Sequence, residues 1–255
     1  FDEEVMLKDG DEAMTNAQKY LAELESGDFG CRVSKHRRMQ FYDDRFPADA
    51  QSLGTAEAAG EVVRWTPSVA INVDTQLFDE GTDPDDVHPG RFRTEWLMSA
   101  ISMLAAAGGV GDSDVEEQIR TLFVSQIGED GLPSFSTEVG AYGIKLHKNG
   151  HEEFVIIDDQ LPMLTSETEQ VDDYSDTRGV ACAYSKGFTE LWVPLIEKAF
   201  AKYYGGYGAI EEGYVHHALH DLTGSESECM YLSAAARGAG KKSLWGKLLR
   251  FRKVN

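Results

Sequence analysis

Few residues in this chain are of types that do covalent or metal chemistry. There are three cysteines, Cys31, Cys182 and Cys229, and seven histidines. A thiol attacks only as a thiolate, which needs a helix N-terminus, a cation or an imidazole beside it. Cys182 lies in Val180-Ala181-Cys182-Ala183-Tyr184, an apolar run that suits a core thiol. Cys31 and Cys229 stand in no helix-plus-histidine pattern, so structural or incidental roles are favoured for all three. The histidines concentrate in His216-His217-Ala218-Leu219-His220. His216 and His220 are four apart, which on a helix gives two ligands of a metal site on one face. No acid or cysteine follows at motif spacing, so surface or packing histidines are the favoured reading.

The elements that would position such groups can be read from periodicity. Ala17, Tyr20, Leu21 and Leu24 recur at helical spacing until Ser26-Gly27. They lie in an acidic segment, 1–30, that carries nine Asp or Glu against two Lys. Val62 through Thr66 reads as extended, because the residue before Pro67 avoids the helix. Residues 79–86 hold five acids with Gly81 and Pro84 and read as a loop. Trp96 through Ala105 is apolar around most of a helix, which predicts a buried helix starting near Glu95 and ended by Gly108-Gly109. Ser99, one turn in, reads as a packing residue. Ala141 through His147 alternates, Asn149-Gly150 is a hairpin turn, and a return strand leads to Pro162. Trp192, Leu195, Ile196, Ala199 and Phe200 form one stripe of an amphipathic helix over 190–203.

Composition bounds the function classes. Hydrophobic residues make up 42% and charged residues 27%, ordinary for a globular chain. The net charge of −20 disfavours nucleic-acid binding and docking on an anionic membrane. No run of about 18 apolar residues is present to span a membrane. Sparse, odd-numbered cysteines indicate a reducing, cytoplasmic setting rather than a disulfide scaffold. The first residue, Phe1, suggests a piece of a longer chain. Residues 238–255 reverse the charge, with Lys241, Lys242, Lys247, Arg250, Arg252 and Lys253 and no acid. That tract is either a solvated helix or frayed terminus, or a contact for an acidic partner.

Four motifs in order resemble the first protease-core lobe of the calpain-type (papain-like) cysteine proteases, over residues 41–224. Phe41-Tyr42-Asp43-Asp44-Arg45-Phe46-Pro47 with Ser52-Leu53-Gly54 is similar to the family's opening segment. Gly150 through Pro162 resembles its hairpin ending Asp-Asp-x-Leu-Pro. Glu190 through Lys202 resembles its Glu-x-Trp…Glu-Lys-Ala-Tyr-Ala-Lys helix, and Gly205 to Gly213 with Asp221-Leu222-Thr223-Gly224 continues it. The resemblance implies an α+β lobe with a buried central helix and an antiparallel β-hairpin. It divides the chain into an N-terminal extension (1–30), the lobe (31–224) and a C-terminal segment (225–255).

The family's nucleophile motif, Gln-Gly-x-Leu-Gly-Asp-Cys-Trp, falls on Pro89-Gly90-Arg91-Phe92-Arg93-Thr94-Glu95-Trp96. Gly90 and Trp96 hold the register. Glu95 then replaces the cysteine, and Pro89 the glutamine that donates to the oxyanion. A carboxylate stabilised by a helix dipole is a poor nucleophile, and its acyl product would be a mixed anhydride. Proline supplies no donor to an oxyanion, a contact worth about 2.7–4 kcal/mol. No His-small-Tyr or Asn-Pro pattern of the family's second lobe is present. The chain is thus expected to be a catalytically inactive calpain-like protein. The resemblance implies a structural or interaction module that needs no cofactor. Its relatives in flagellated protists imply protein partners on microtubules, the cytoskeleton or the flagellar axoneme. It also maps a calcium site onto backbone oxygens near Asp79 and Gly81 and the carboxylates of Asp86 and Glu190, which sets a calcium-responsive regulator as the alternative. A merely solvated acidic loop is the plainer reading of those residues. The remote alternatives are a calcium-dependent cysteine-type endopeptidase activity, implied by the resemblance, and a residual or unusual hydrolase with Glu95 as a general base on water.

Overall fold

The computed structural model describes residues 11–26, 30–36, 38–79, 81–108, 118–127, 133–134, 138–164 and 179–226. All of these but residue 226 belong to one unit, Phe1–Ser225. The second unit, Glu226–Asn255, otherwise lies outside the described residues, and with it Cys229 and the basic tract. In chain order the elements are α1 (Asp11–Glu25), β1 (Cys31–Arg32), β2 (Gln40–Phe41), α2 (Ala50–Leu53), β3 (Val62–Pro67), α3 (Ser68–Ile71), α4 (Glu95–Gly108), β4 (Gln126–Ile127), β5 (Pro133–Ser134), β6 (Ala141–Lys148), β7 (His151–Asp158), β8 (Gln160–Leu164), α5 (Trp192–Tyr204) and α6 (Val215–Thr223). Short 3-10 turns lie between them. The fold is α+β, with a buried helix and an antiparallel hairpin as expected.

Strands β6 and β7 pair from Ala141↔Asp158 to Lys148↔His151. Asn149 (φ 52) and Gly150 (φ 83) are both left-handed, the geometry that Asn-Gly tolerates and that matches strand twist. The hairpin stops at Asp158, short of the expected Pro162. Residue 159 turns the chain away, and β8 pairs with β3 instead, from Pro67↔Gln160 to Val62↔Leu164. The cause is a long-range anchor. The buried Asp159 carboxylate accepts from the Ser68 hydroxyl, from Ser68 N (3.1 Å) and from Gln40 Nε2 (3.0 Å). These donors fix the corner between the two sheets.

Helix α1 buries Ala13, Ala17, Leu21 and Leu24, while Tyr20 stays half-exposed. This stripe covers the outer side of the hairpin, against Phe154, Ile156, Val139 and Phe41. Helix α4 buries Leu97, Ala100, Ile101, Leu104 and Ala105, but Met103 is 55% exposed, so one side is wet. It packs on α6.

Helix α5 departs from its sequence pattern. The stripe predicts one wet face, yet every residue from Trp192 to Ala201 is buried, Glu197 and Lys198 included. The charges are satisfied inside the protein. Lys198 Nζ donates to Asp158 Oδ1 and to the Gln160 carbonyl (2.6 Å). Lys202 Nζ donates to Asp43 Oδ2 (2.7 Å) and the Ile156 carbonyl (2.6 Å). A cation whose partners replace its water can be buried, but removing one partner strands the other.

Lys198→Met is therefore expected to destabilise the domain by about 3–5 kcal/mol, because Asp158 is left charged and dry. The double variant Lys198→Met/Asp158→Asn should recover most of that loss. Urea unfolding followed by tryptophan fluorescence measures both.

Candidate functional site

The mouth of α4 is assembled from four distant pieces of chain. Gly90 comes so close to the segment 181–182 that an added Cβ would lie 2.3 Å from the Ala181 and Cys182 carbonyl oxygens. Arg91 N donates to the Ala181 carbonyl (2.7 Å). His88 and Tyr184 exchange backbone hydrogen bonds (3.0 Å each), and their rings stack with centroids 5.3 Å apart. Arg93 adopts φ 52 and spreads its guanidinium between Glu57 (3.2 Å) and Glu212 (3.6 Å). Trp96 Nε1 donates to the Ile210 carbonyl (2.8 Å), and Gly213 lies flat on the indole.

Thr94 is the residue before the helix. It is buried, and its carbonyl accepts from Leu97 N (2.9 Å) and Met98 N (3.0 Å). Its hydroxyl does not cap the helix but donates to the carboxylate of Glu197. Glu95 is the first residue of α4 and is exposed. Its carboxylate sits where the helix dipole favours negative charge, and among the described residues it makes no hydrogen bond or ion pair. Pro89 is exposed and offers neither an N–H nor a side-chain donor. Ser99 is exposed rather than packed in the core. Its hydroxyl donates back to the Glu95 carbonyl (2.7 Å), as serines within helices do.

Neither described thiol has the surroundings of a nucleophile. Cys182 is fully buried, and burial followed by the Glu197 charge pushes its thiol well above the usual range. Cys31 donates weakly to the Leu24 carbonyl (3.4 Å), and burial and then Glu25 raise it too. His216 lies against His217 (ring centroids 4.3 Å) and Tyr214, while His220 Nδ1 is 2.8 Å from the Ser225 carbonyl. Among the described residues the α6 histidines gather no third ligand, and no group of three His, Cys, Asp or Glu side chains is arranged to hold a metal.

The acidic-loop residues do converge with Glu190. Asp79 N–H donates to Glu190 Oε1 (2.7 Å), and Trp192 Nε1 donates to Oε2 (3.0 Å). The Asp86 carboxyl meets that of Glu190. Burial raises both, and each is raised further by neighbouring acids: Asp83 for Asp86, and Asp86 and Asp79 for Glu190. Gly81 (φ 128) turns the loop, with its N–H on the Asp79 carbonyl (2.8 Å). Hard oxygens with surplus negative charge suit a calcium ion in chemistry, although two carboxylates and carbonyls fall short of a closed cage.

Glu197 and Lys198 carry much of this arrangement, and sequence reasoning passed over them. The signal was present, as adjacent charges inside an otherwise apolar helix face.

Comparison with known proteins fits this geometry. The family described as calpain family cysteine protease matches residues 41–254. This chain belongs to the calpain family. The match runs past residue 224 and takes in most of the basic tract, while α1 precedes it. The calpain-type cysteine protease DEK1 of Arabidopsis thaliana is 30% identical over 226 residues, covering 84% of this chain and 9% of the plant protein. Calpain-5 of Mus musculus is 28% identical over 77% of this chain and 28% of its own length. Calpain-A of Drosophila melanogaster is 28% identical over 76% of this chain and 20% of its own. The calpain-family chain therefore spans less than a third of each of these relatives.

If the thiol of Cys182 is a core group, iodoacetamide should leave it unmodified in the native chain at pH 8 and label it only after unfolding. Peptide mass spectrometry reads the difference, and native labelling of Cys182 would refute the burial.

Proposed function

We propose that this calpain-family domain has no peptidase activity of its own and works as a protein-interaction module. The observation that carries the reading is Glu95, an exposed carboxylate at the first position of α4, where the family resemblance places the thiolate. Acyl transfer needs a nucleophile that can attack a peptide carbonyl and leave again as a stable group. A carboxylate held by the helix dipole does neither well. Pro89 adds a second deficit, since no donor at that position meets a developing oxyanion. What such a lobe retains is the exposed start of α4, braced by the Arg93 pairs with Glu57 and Glu212.

The partner class follows from the resemblance and the charge pattern. We infer a cytoskeletal or axonemal protein surface, with the basic tract 238–255 as the contact to the acidic face of a microtubule. Co-sedimentation with microtubules, with and without residues 238–255, tests this. Binding of the full chain that the deletion abolishes is expected, and indifference to the deletion counts against the tract. A peptidase assay across pH should show no turnover for this chain. Cleavage by the native chain would overturn the reading.

A second reading has one specific observation in its favour, the convergence of Asp79, Asp86 and Glu190. In this reading the lobe is a calcium-responsive regulator. The carboxylates of Asp86 and Glu190 and carbonyls near Asp79 and Gly81 would hold the ion, which would relieve their mutual repulsion. Titration calorimetry with calcium should then give heat that Asp86→Ala and Glu190→Ala abolish. No heat with the native chain ends it.

A further inference from the structure

Four buried acids of this lobe are neutralised in recognisable ways. Asp158 faces Lys198, Asp43 faces Lys202, and Asp221 faces Lys148 (3.2 Å). Asp159 accepts hydrogen bonds from the Ser68 hydroxyl, Ser68 N and Gln40 Nε2. Glu197 is different. It has no exposed surface, and among the described residues no cation pairs with it. It receives two hydrogen bonds, from the Thr94 hydroxyl on Oε1 and from Ala183 N on Oε2 (2.8 Å). These two donors come from the residue that opens α4 and from the segment packed against Gly90.

The groups around it add no positive charge. Lys198 follows on α5 but is turned to Asp158. Cys182 faces it from the 181–184 segment, Tyr207 from the 3-10 turn after α5, and Glu95 from the helix mouth. The Tyr207 hydroxyl is buried and makes no hydrogen bond among the described residues.

We propose that Glu197 is a proton switch beneath the mouth of α4: neutral, it sits dry between Thr94, Ala183 and α5, and ionised, it keeps both hydrogen bonds but its buried charge draws water into the joint and loosens the first turn of α4. The inference rests on the geometry of α4 and α5, and it stands whether or not the domain is a peptidase. Burial pushes the carboxyl up to about 7; the Thr94 and Ala183 hydrogen bonds oppose this, and Glu95 adds to it. The folded value lies above the ordinary 4.5, so the stabilisation is complete below that pH and is lost as pH rises through about 7. A cation placed at Glu95 lowers the proton affinity of Glu197, so a basic partner residue at the mouth releases a proton there.

The test is carboxyl-carbon NMR together with hydrogen exchange on the whole chain. The Glu197 resonance, assigned by its loss in Glu197→Gln, should titrate near pH 7, and Glu95→Gln should lower that midpoint. Amide protection at Leu97, Met98 and Ala183 should fall about ten-fold more between pH 6 and 8 in the native chain than in Glu197→Gln. A buried glutamate carbon titrating below pH 5 overturns the proposal, as do identical exchange profiles in the two proteins. Should Glu197→Gln fail to fold, the native titration decides: no glutamate carbon with a midpoint above 6 overturns it.

Discussion

Helix α5 passes through the core with an acid and a base on adjacent residues, Glu197 and Lys198, and the rest of the lobe is arranged around their partners. Lys198 reaches toward the hairpin and holds Asp158 and the Gln160 carbonyl, which is where β7 gives way to β8. Glu197 reaches the other way and holds Thr94 and Ala183, which set the mouth of α4. One rigid helix thereby fixes the position of the sheet corner relative to the helix mouth. A buried charge tolerates little misplacement, because each lost hydrogen bond costs a full desolvation. This is why segments more than 100 residues apart, such as Thr94 and Glu197, meet at hydrogen-bond distance.

That scaffold is the frame in which the family's chemistry would be placed. It delivers a helix N-terminus to the surface, braced by Trp96 on the Ile210 carbonyl and by Arg93 between two acids. In a thiol protease the field of that N-terminus lowers the pKa of a thiol and makes it reactive. Here the same field acts on Glu95, and stabilising a carboxylate makes it less reactive. The proposed loss of peptidase function therefore needs no damage to the fold. Under that proposal the change lies in the side chains at Glu95 and Pro89 alone, with their support intact, and the surface is left to serve as a docking face.

Much of the frame was legible in the sequence because it is local. Asn149-Gly150 announces its turn by backbone preference alone, and the apolar run after Glu95 announces a buried helix. The order of the motifs was enough to place the chain in its family. What was not legible depends on contacts between distant residues. The β8 strand leaves the hairpin because Asp159 finds Ser68 and Gln40, and neither partner is visible from Asp159 itself. Helix α5 reads as amphipathic because periodicity counts Glu197 and Lys198 as water-facing, and only their tertiary partners show otherwise. Ser99 reads as core because its neighbours are apolar, although it lies on the wet side of α4. At the acidic loop Asp79 N and the Asp86 carboxyl meet Glu190, while among the described residues no group of three His, Cys, Asp or Glu is arranged to hold a metal.

The central claim is that the helix mouth offers no nucleophile. Intact-mass spectrometry after incubation with an electrophilic peptidyl probe, such as a peptidyl epoxide, tests it most directly, because the readout is a covalent bond and does not depend on the substrate being well chosen. The account predicts an unshifted mass after prolonged exposure at neutral pH. A stoichiometric adduct mapped to any residue at the mouth of α4 would contradict it.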